Sequence, residues 1–365
     1  MVRNCYIHIP FCENICSYCD FCKLYYNKKM VSSYLKALEE EILAIYKDEA
    51  LETIYIGGGS PSALSIEETE VLLSILKRFK RTNGCEITIE LNFENTTKEK
   101  LDLYKKFGIN RLSFGLETTK SEHLKLLERT LDKKKVIEII NYARKIGFNN
   151  INLDLIYAIP KQSLSDLEDD LNFILELEVE HISTYSLIIE NHTKLKFNNI
   201  KNIDQDLDAL MYELINNKLK SNGYKHYEIS NFSKEGFFSK HNLCYWNNCN
   251  YYGFGLGASS YLLNRRVTNT RSLNRYLNYD FINEMDILSK DEIMEYEVIL
   301  NLRKSDGINL EEFKRKYGQD FCYNYDELVN DGFLMLENNC LFIPENKWYI
   351  SNEIIIKLLG SESNG

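Results

Sequence analysis

Across residues 5–230, short runs of β-branched and aromatic residues alternate with longer segments in which apolar residues return every three or four positions. The short runs CYIHI (5–9), TIYI (53–56), EITIEL (86–91), NRLSF (110–114), NINLDLI (150–156) and HISTYSL (181–187) predict six strands. Between them Leu35, Leu38, Ile42 and Ile45, and again Leu164, Leu167, Leu171 and Ile174, make helical stripes whose ordinary use is core packing. Ser65 with Glu68 and Ser165 with Glu168 have capping-box spacing where helices should begin. Strand and helix in alternation predict βαβ units around a parallel sheet.

The pattern changes near residue 285. DEIMEYEVILNLR, NLEEFKRKYG and DELVNDGFL read as three helices, followed by a hairpin about Glu337-Asn338-Asn339, which describes a winged-helix-like unit. Such units often bind DNA, but Glu311, Glu312, Asp320, Asp326, Glu327 and Asp331 favour a docking or structural role here. The expected division is a partial β/α barrel over 1–230, a connecting region over 231–285 and the winged-helix-like domain over 286–365. The prolines (Pro10, Pro61, Pro160 and Pro344) mark no linker, and GSESNG at the end reads as a loose tail.

At 365 residues the chain has room for roughly two to three units and needs no disulfide staples. Its 44 Lys+Arg against 54 Asp+Glu give a net charge of −10, which argues against a protein built to neutralise nucleic-acid phosphates. No run of about 18 apolar residues occurs, and the opening MVRNCYIHIPFC lacks the features of a signal peptide. The expectation is a cytoplasmic protein with no transmembrane segment and no nucleic-acid partner. Four of the 10 cysteines fall within residues 12–22, a crowding that indicates metal or redox chemistry rather than a disulfide framework.

Cys12, Cys16 and Cys19 form C-x3-C-x2-C directly after the first strand. Soft thiolates on one tight loop select an Fe–S cluster, zinc or copper(I). Zinc would take a fourth ligand, for which Cys22 is at hand; an Fe–S cluster on three thiolates would leave one iron open to a small molecule. Gly57, Gly58, Gly59 and Ser60 follow the second strand, Glu90 ends the third, Glu117 follows the fourth and Asp154 lies late in the fifth. In a β/α barrel these strand ends share the active-site face. Glycines there admit close backbone approach, and the acids accept from ribose hydroxyls or an amine.

With Tyr18 just before the third cysteine, this loop resembles that of the radical S-adenosylmethionine (SAM) enzymes. YIHIPFC, IGGGSPSAL, INRLSFGLET, INLDLIYAIP, HISTYSLIIE and YEISNF are similar to the oxygen-independent coproporphyrinogen III oxidase group, from Tyr6 to about Leu359. His241-Asn242-Leu243-Cys244-Tyr245-Trp246 resembles the H-N-x-x-Y-W motif of its heme chaperone branch. The resemblance implies a partial (β/α)6 TIM-like barrel with a helical, winged-helix-like C-terminal domain. It implies a [4Fe–4S] cluster with three irons on Cys12, Cys16 and Cys19, and SAM on the fourth through its amino and carboxylate groups. Tyr6, Gly58, Gly59, Ser60, Glu90, Glu117, Arg129 and Asp154 fall on the SAM-contacting positions, where Arg129 suits a carboxylate.

By the same resemblance the function is to bind heme and transfer it to acceptor proteins, such as respiratory ones. The alternative is the oxidase reaction, in which a donor such as flavodoxin or ferredoxin reduces the cluster, SAM is cleaved, and a 5′-deoxyadenosyl radical takes hydrogen from porphyrinogen propionates to leave vinyl groups. A structural zinc protein is the third reading. Phe21 stands where the oxidases carry a fourth cysteine, which points to the chaperone branch; Glu117 replaces the usual Gln, Asn92-Phe93 the usual Asn-Pro, and Ser60 the usual Thr. These departures bear on SAM affinity. His241, read as a loop imidazole among Asn242, Tyr245 and Trp246, is expected to ligate heme iron, with Cys244 and Cys249 as alternative thiolate ligands. A histidine that merely caps backbone is the competing reading. Arg265, Arg266, Arg271 and Arg275 are left outside the site.

Overall fold

The computed structural model describes residues 1–360, so all but Gly360 of the expected loose tail lies outside the described residues. Twelve strands form one sheet: β1 (Asn4–Ile9), β2 (Leu51–Gly58), β3 (Arg81–Asn92), β4 (Arg111–Glu117), β5 (Ile151–Tyr157), β6 (His181–Ser186), β7 (Lys225–Glu228), β8 (Asn231–Ser233), β9 (Tyr251–Phe254), β10 (Ser259–Leu262), β11 (Arg265–Asn269) and β12 (Ile282–Ile287). Their order is β12-β11-β10-β9-β1-β2-β3-β4-β5-β6-β8-β7. From β9 to β6 every neighbour is parallel, and the strands beyond each end are antiparallel.

The six expected strands are β1 to β6, and each leads into a helix that covers the sheet: α1 (Lys28–Ile45), α2 (Ile66–Ile75), α3 (Lys98–Lys106), α4 (Lys133–Lys145), α5 (Leu164–Glu176) and α6 (Gln205–Ser221). The seventh parallel strand, β9, was not foreseen. Ser65 and Glu68 do make the capping box of α2. For α5 the box is Ser163 with Asp166, two residues before the expected Ser165 and Glu168. The segment SLSD repeats the same spacing earlier, and each residue added to a started helix gains a backbone hydrogen bond.

Period-two alternation divides the strands into two faces. Ile54, Ile56, Ile87, Ile89, Leu112, Phe114, Leu153 and Leu155 are buried in one apolar cluster with Leu35, Leu38, Leu72, Leu101, Val136 and Leu167 of the helices. The other face is polar. Register aligns Tyr6, Tyr55, Thr88 and Arg111 in one row across β1 to β4, and Glu90, Ser113, Asn152 and His181 in the row above. Arg111 is 2% exposed, and among the described residues neither its Nε nor the Thr88 hydroxyl has a hydrogen-bonding partner.

After β12 a second apolar cluster gathers Met294, Val298, Leu302, Phe313, Leu328, Leu341, Trp348 and Ile355. It is built by helices Lys290–Asn301, Leu310–Tyr317 and Asp326–Asn330, the ribbon Met335–Glu337 with Cys340–Phe342, and helix Ser351–Leu359. This unit meets the sheet where Trp348 packs edge-on against His226 at 4.4 Å and Lys220 pairs with Glu345 at 2.6 Å. Among the described residues no helix is long and apolar enough to cross a membrane.

Candidate functional site

The cysteine loop grows from the C-terminal end of β1. Phe11–Cys12 pairs in parallel with Leu24–Tyr25, so Leu24 N donates to Pro10 O (2.7 Å) and Tyr26 N to Cys12 O (2.8 Å), which closes the base of the loop. Its outer part is tied down by Ser17, whose N and Oγ donate to the carbonyls of Leu127 (3.1 Å) and Leu126 (2.7 Å). His8 Nε2 shares a 2.7 Å hydrogen bond with the Cys22 carbonyl. Cys12, Cys16 and Cys19 are free thiols. Burial pushes Cys12 up to about 12 and Cys16 up to about 11.

These three thiols line one cavity of about 330 Å³ together with Gly58, Gly59, Ser60, Glu90, Glu117, Arg129 and Asp154. Seven of the eight SAM-contact positions expected from sequence are thus brought together with the cysteines. Tyr6 is not among the lining residues; its hydroxyl hydrogen-bonds His8 Nδ1 at 2.9 Å and its ring stacks on Tyr55 in the row beneath. Cys22 does not line the cavity either. Among the described residues no three His, Cys, Asp or Glu side chains converge on a point suited to a single metal ion.

Each lining group has a local cause. Gly58 has φ +113° and its amide donates to Glu90 Oε2 at 2.9 Å. A Cβ on Gly58 would lie 2.3 Å from the His8 ring, and one on Gly59 2.7 Å from Pro10 C. The glycine run is accounted for by close packing of β2 on the loop base. Glu90 also accepts from Tyr55 OH at 2.7 Å, and burial raises its carboxyl. Asp154 accepts from Asn152 Nδ2 at 2.8 Å and is pushed up to about 6, by burial first and Glu90 second.

Glu117, at φ +60°, accepts from Tyr18 OH (3.1 Å) and from Arg129 Nη2 (3.2 Å). Burial raises its carboxyl, and the Arg129 cation opposes that rise. Arg129 also faces Glu94 at 3.7 Å and keeps an unpartnered Nε. Sequence reasoning missed Ser113, Tyr185 and Ile188 as lining residues. Ser113 was accessible through period two, since it lies two residues before Gly115 on the same face.

His241 lies elsewhere. It sits not on a loop but in the helix Lys240–Trp246, N-capped by Ser239. Its Nδ1 shares a 2.7 Å hydrogen bond with Thr53 Oγ1 and its Nε2 a 2.9 Å bond with Tyr245 OH, while its ring stacks on Tyr55 at 5.0 Å. It is 1% exposed, and burial lowers it to about 3. Thr53 precedes Gly58, the last residue of β2, by five positions, so at about 3.3 Å per residue these two backbone positions lie about 16 Å apart along the strand. The helix amides of Lys240 and His241 donate to Glu86 at 3.2 and 3.1 Å, tying the helix to β3. The expected axial ligand has both nitrogens occupied, because Thr53 and Tyr245 satisfy a buried imidazole that would otherwise lose its hydration. Cys244, on the same helix, is buried as well.

Three thiols on a loop at the C-terminal face of a parallel α/β sheet define a radical SAM protein, and the profile of the Radical SAM superfamily matches residues 6–174. The profile of the HemN C-terminal domain matches residues 288–349. The heme chaperone HemW of Bacillus subtilis (strain 168) is 37% identical over 380 residues, spanning 100% of this chain and 98% of its own. That of Lactococcus lactis subsp. lactis (strain IL1403) is 37% identical over 375 residues, spanning 99% and 98%. In fold, the coproporphyrinogen III oxidase HemN from Escherichia coli superposes with a TM-score of 0.85 at 21% identity, over 97% of this chain and 89% of that one. The chain belongs to the radical SAM superfamily and, within it, to the HemW family.

Proposed function

We propose that the protein is a heme chaperone of the cytoplasm that carries a [4Fe–4S] cluster and SAM and hands heme to acceptor proteins. Cys12, Cys16 and Cys19 hold the cluster, and Gly58, Gly59, Ser60, Glu90, Glu117, Arg129 and Asp154 surround SAM. When bound, the cluster supplies a redox-active core with one iron free for SAM. The residues fit that role: three thiols free of disulfides stand on one loop, Arg129 offers a cation to a carboxylate, and Glu90 and Asp154 offer acceptors to an ammonium or to hydroxyls. The described residues from 286 on form the winged-helix-like docking domain, following residues 231–285, which complete the sheet. One observation carries the reading, the convergence of these ten side chains and backbone segments on a single cavity. The heme assignment draws its support from the HemW relatives and from Phe21 in the position of the oxidases' fourth cysteine.

The test is anaerobic reconstitution, counting iron and sulfide, with a ferric heme titration run beside an assay for coproporphyrinogen III turnover. About four irons per chain and stoichiometric heme without turnover agree with the chaperone. Turnover without heme binding selects the oxidase reaction instead.

A further inference from the structure

Two walls of the candidate cavity end in uncovered apolar side chains. Phe21 on the cysteine loop is 68% exposed, and beyond the middle of β6 Tyr185 and Ile188 are 43% and 65% exposed. All three line the cavity. The ends of the β1 to β6 array meet here: Leu195 N, on the segment after β6, donates to Ser17 O of the cysteine loop at 3.1 Å. Scattered exposed apolar residues are ordinary, but several around one cavity mark a binding site. Lys23 also lines the mouth, its ammonium held by the Cys19 and Phe21 carbonyls.

We propose that heme docks in this slot, between Phe21 on one side and Tyr185 with Ile188 on the other, with a propionate at Lys23. The inference rests on the heme reading above and names its site. A tetrapyrrole is a flat apolar plate bearing two carboxylates; two apolar walls and a cation at the edge complement it. His241 does not compete, since it is enclosed at the far end of the barrel with both ring nitrogens engaged. Among the described residues no imidazole lines the cavity. With three thiols committed to the cluster, the slot holds heme by its faces and carboxylates rather than by a strong axial bond, a grip suited to handing heme on.

Ferric heme is titrated into the full-length reconstituted protein, the Phe21→Ser/Ile188→Ser variant and His241→Ala, following the Soret band, with iron content as the control for folding. Iron-free protoporphyrin IX is titrated in parallel. The expected result is one heme per chain in the wild type, binding at least tenfold weaker in the double variant with iron content kept, a wild-type Soret band in His241→Ala, and protoporphyrin affinity within a few-fold of heme. Equal heme affinity in the double variant overturns the slot while leaving the heme reading intact. So does a protein that takes heme but refuses protoporphyrin, since iron ligation would then carry the binding, and this arm decides the matter if His241→Ala fails to fold. A wild type without stoichiometric heme refutes the heme reading itself.

Discussion

Replacing Glu117 by Gln separates two uses of Arg129. The guanidinium now reaches Glu117 at 3.2 Å and Glu94 only at 3.7 Å, with the Arg129 and Glu117 side chains both nearly buried. A hydrogen bond to a charged group contributes about 1.5–3 kcal/mol. The ligand-free variant should lose up to about that much stability, less whatever is regained because one fewer charge is buried. A SAM carboxylate arriving at the freed guanidinium would recover the same contact, tightening SAM by about 10- to 150-fold at about 1.4 kcal/mol per decade. The assay is calorimetric titration of SAM, with thermal melts in its presence and absence. The variant should melt lower alone and gain more from SAM than the wild type. The sign of the pH effect follows: Glu117 has a raised pKa, so lowering the pH protonates it before ordinary carboxylates and releases Arg129. Toward acid the wild type should therefore gain affinity relative to the variant, the titration of Glu90 and Asp154 being common to both. Equal affinities together with equal SAM-induced shifts would refute Arg129 as the carboxylate anchor.

Serine at Cys12, Cys16 or Cys19 should abolish iron incorporation, and Cys22→Ser should keep it, because the Cys22 side chain is outside the cavity; equal iron loss at Cys22 and Cys19 would contradict three-thiolate ligation. Gly59→Ala should destabilise by about 1–3 kcal/mol and lower iron content, since its Cβ would press on Pro10 at 2.7 Å and displace the loop base; a wild-type melt and iron count would show that the base yields. Asp154, at about 6 in the fold against about 3.9 unfolded, keeps in the native state a proton that the unfolded chain releases. Its effect is thus to lower stability as pH rises from about 4 to 6, by about 3 kcal/mol in all. Asp154→Asn should flatten that slope in urea unfolding at pH 4.5 and 7.5, and parallel curves for the two proteins would count against it.

The cysteine loop and the strand-end residues were legible because their signals are local: a C-x3-C-x2-C spacing after a strand, and glycines or acids where an apolar run stops. Six parallel strands were legible for the same reason. β9 was not, since its place beside β1 depends on pairing across about 245 residues, Asn4 with Tyr251 and Cys5 with Tyr252. The helical, buried setting of His241 was hidden in a similar way. Its surroundings in sequence are polar and aromatic, as at a ligand pocket, but its hydrogen-bond partner Thr53 is 188 residues away. Its other partner, Tyr245, is four residues away, but only the fold shows that both ring nitrogens are engaged. The capping box of α5 was misplaced for a smaller reason, two serines two residues apart with an acid three residues after each.

Glu90 and Asp154 line the same cavity as the exposed Phe21 and Ile188. Ligands that enter past those side chains do so in order. Whatever binds deepest must enter first and leave last, and a ligand standing in the doorway prolongs the stay of one behind it without touching it. Two dissociation rates become linked by sequence of exit rather than by any shared bond, and washing out the outer ligand sets the clock for the inner one.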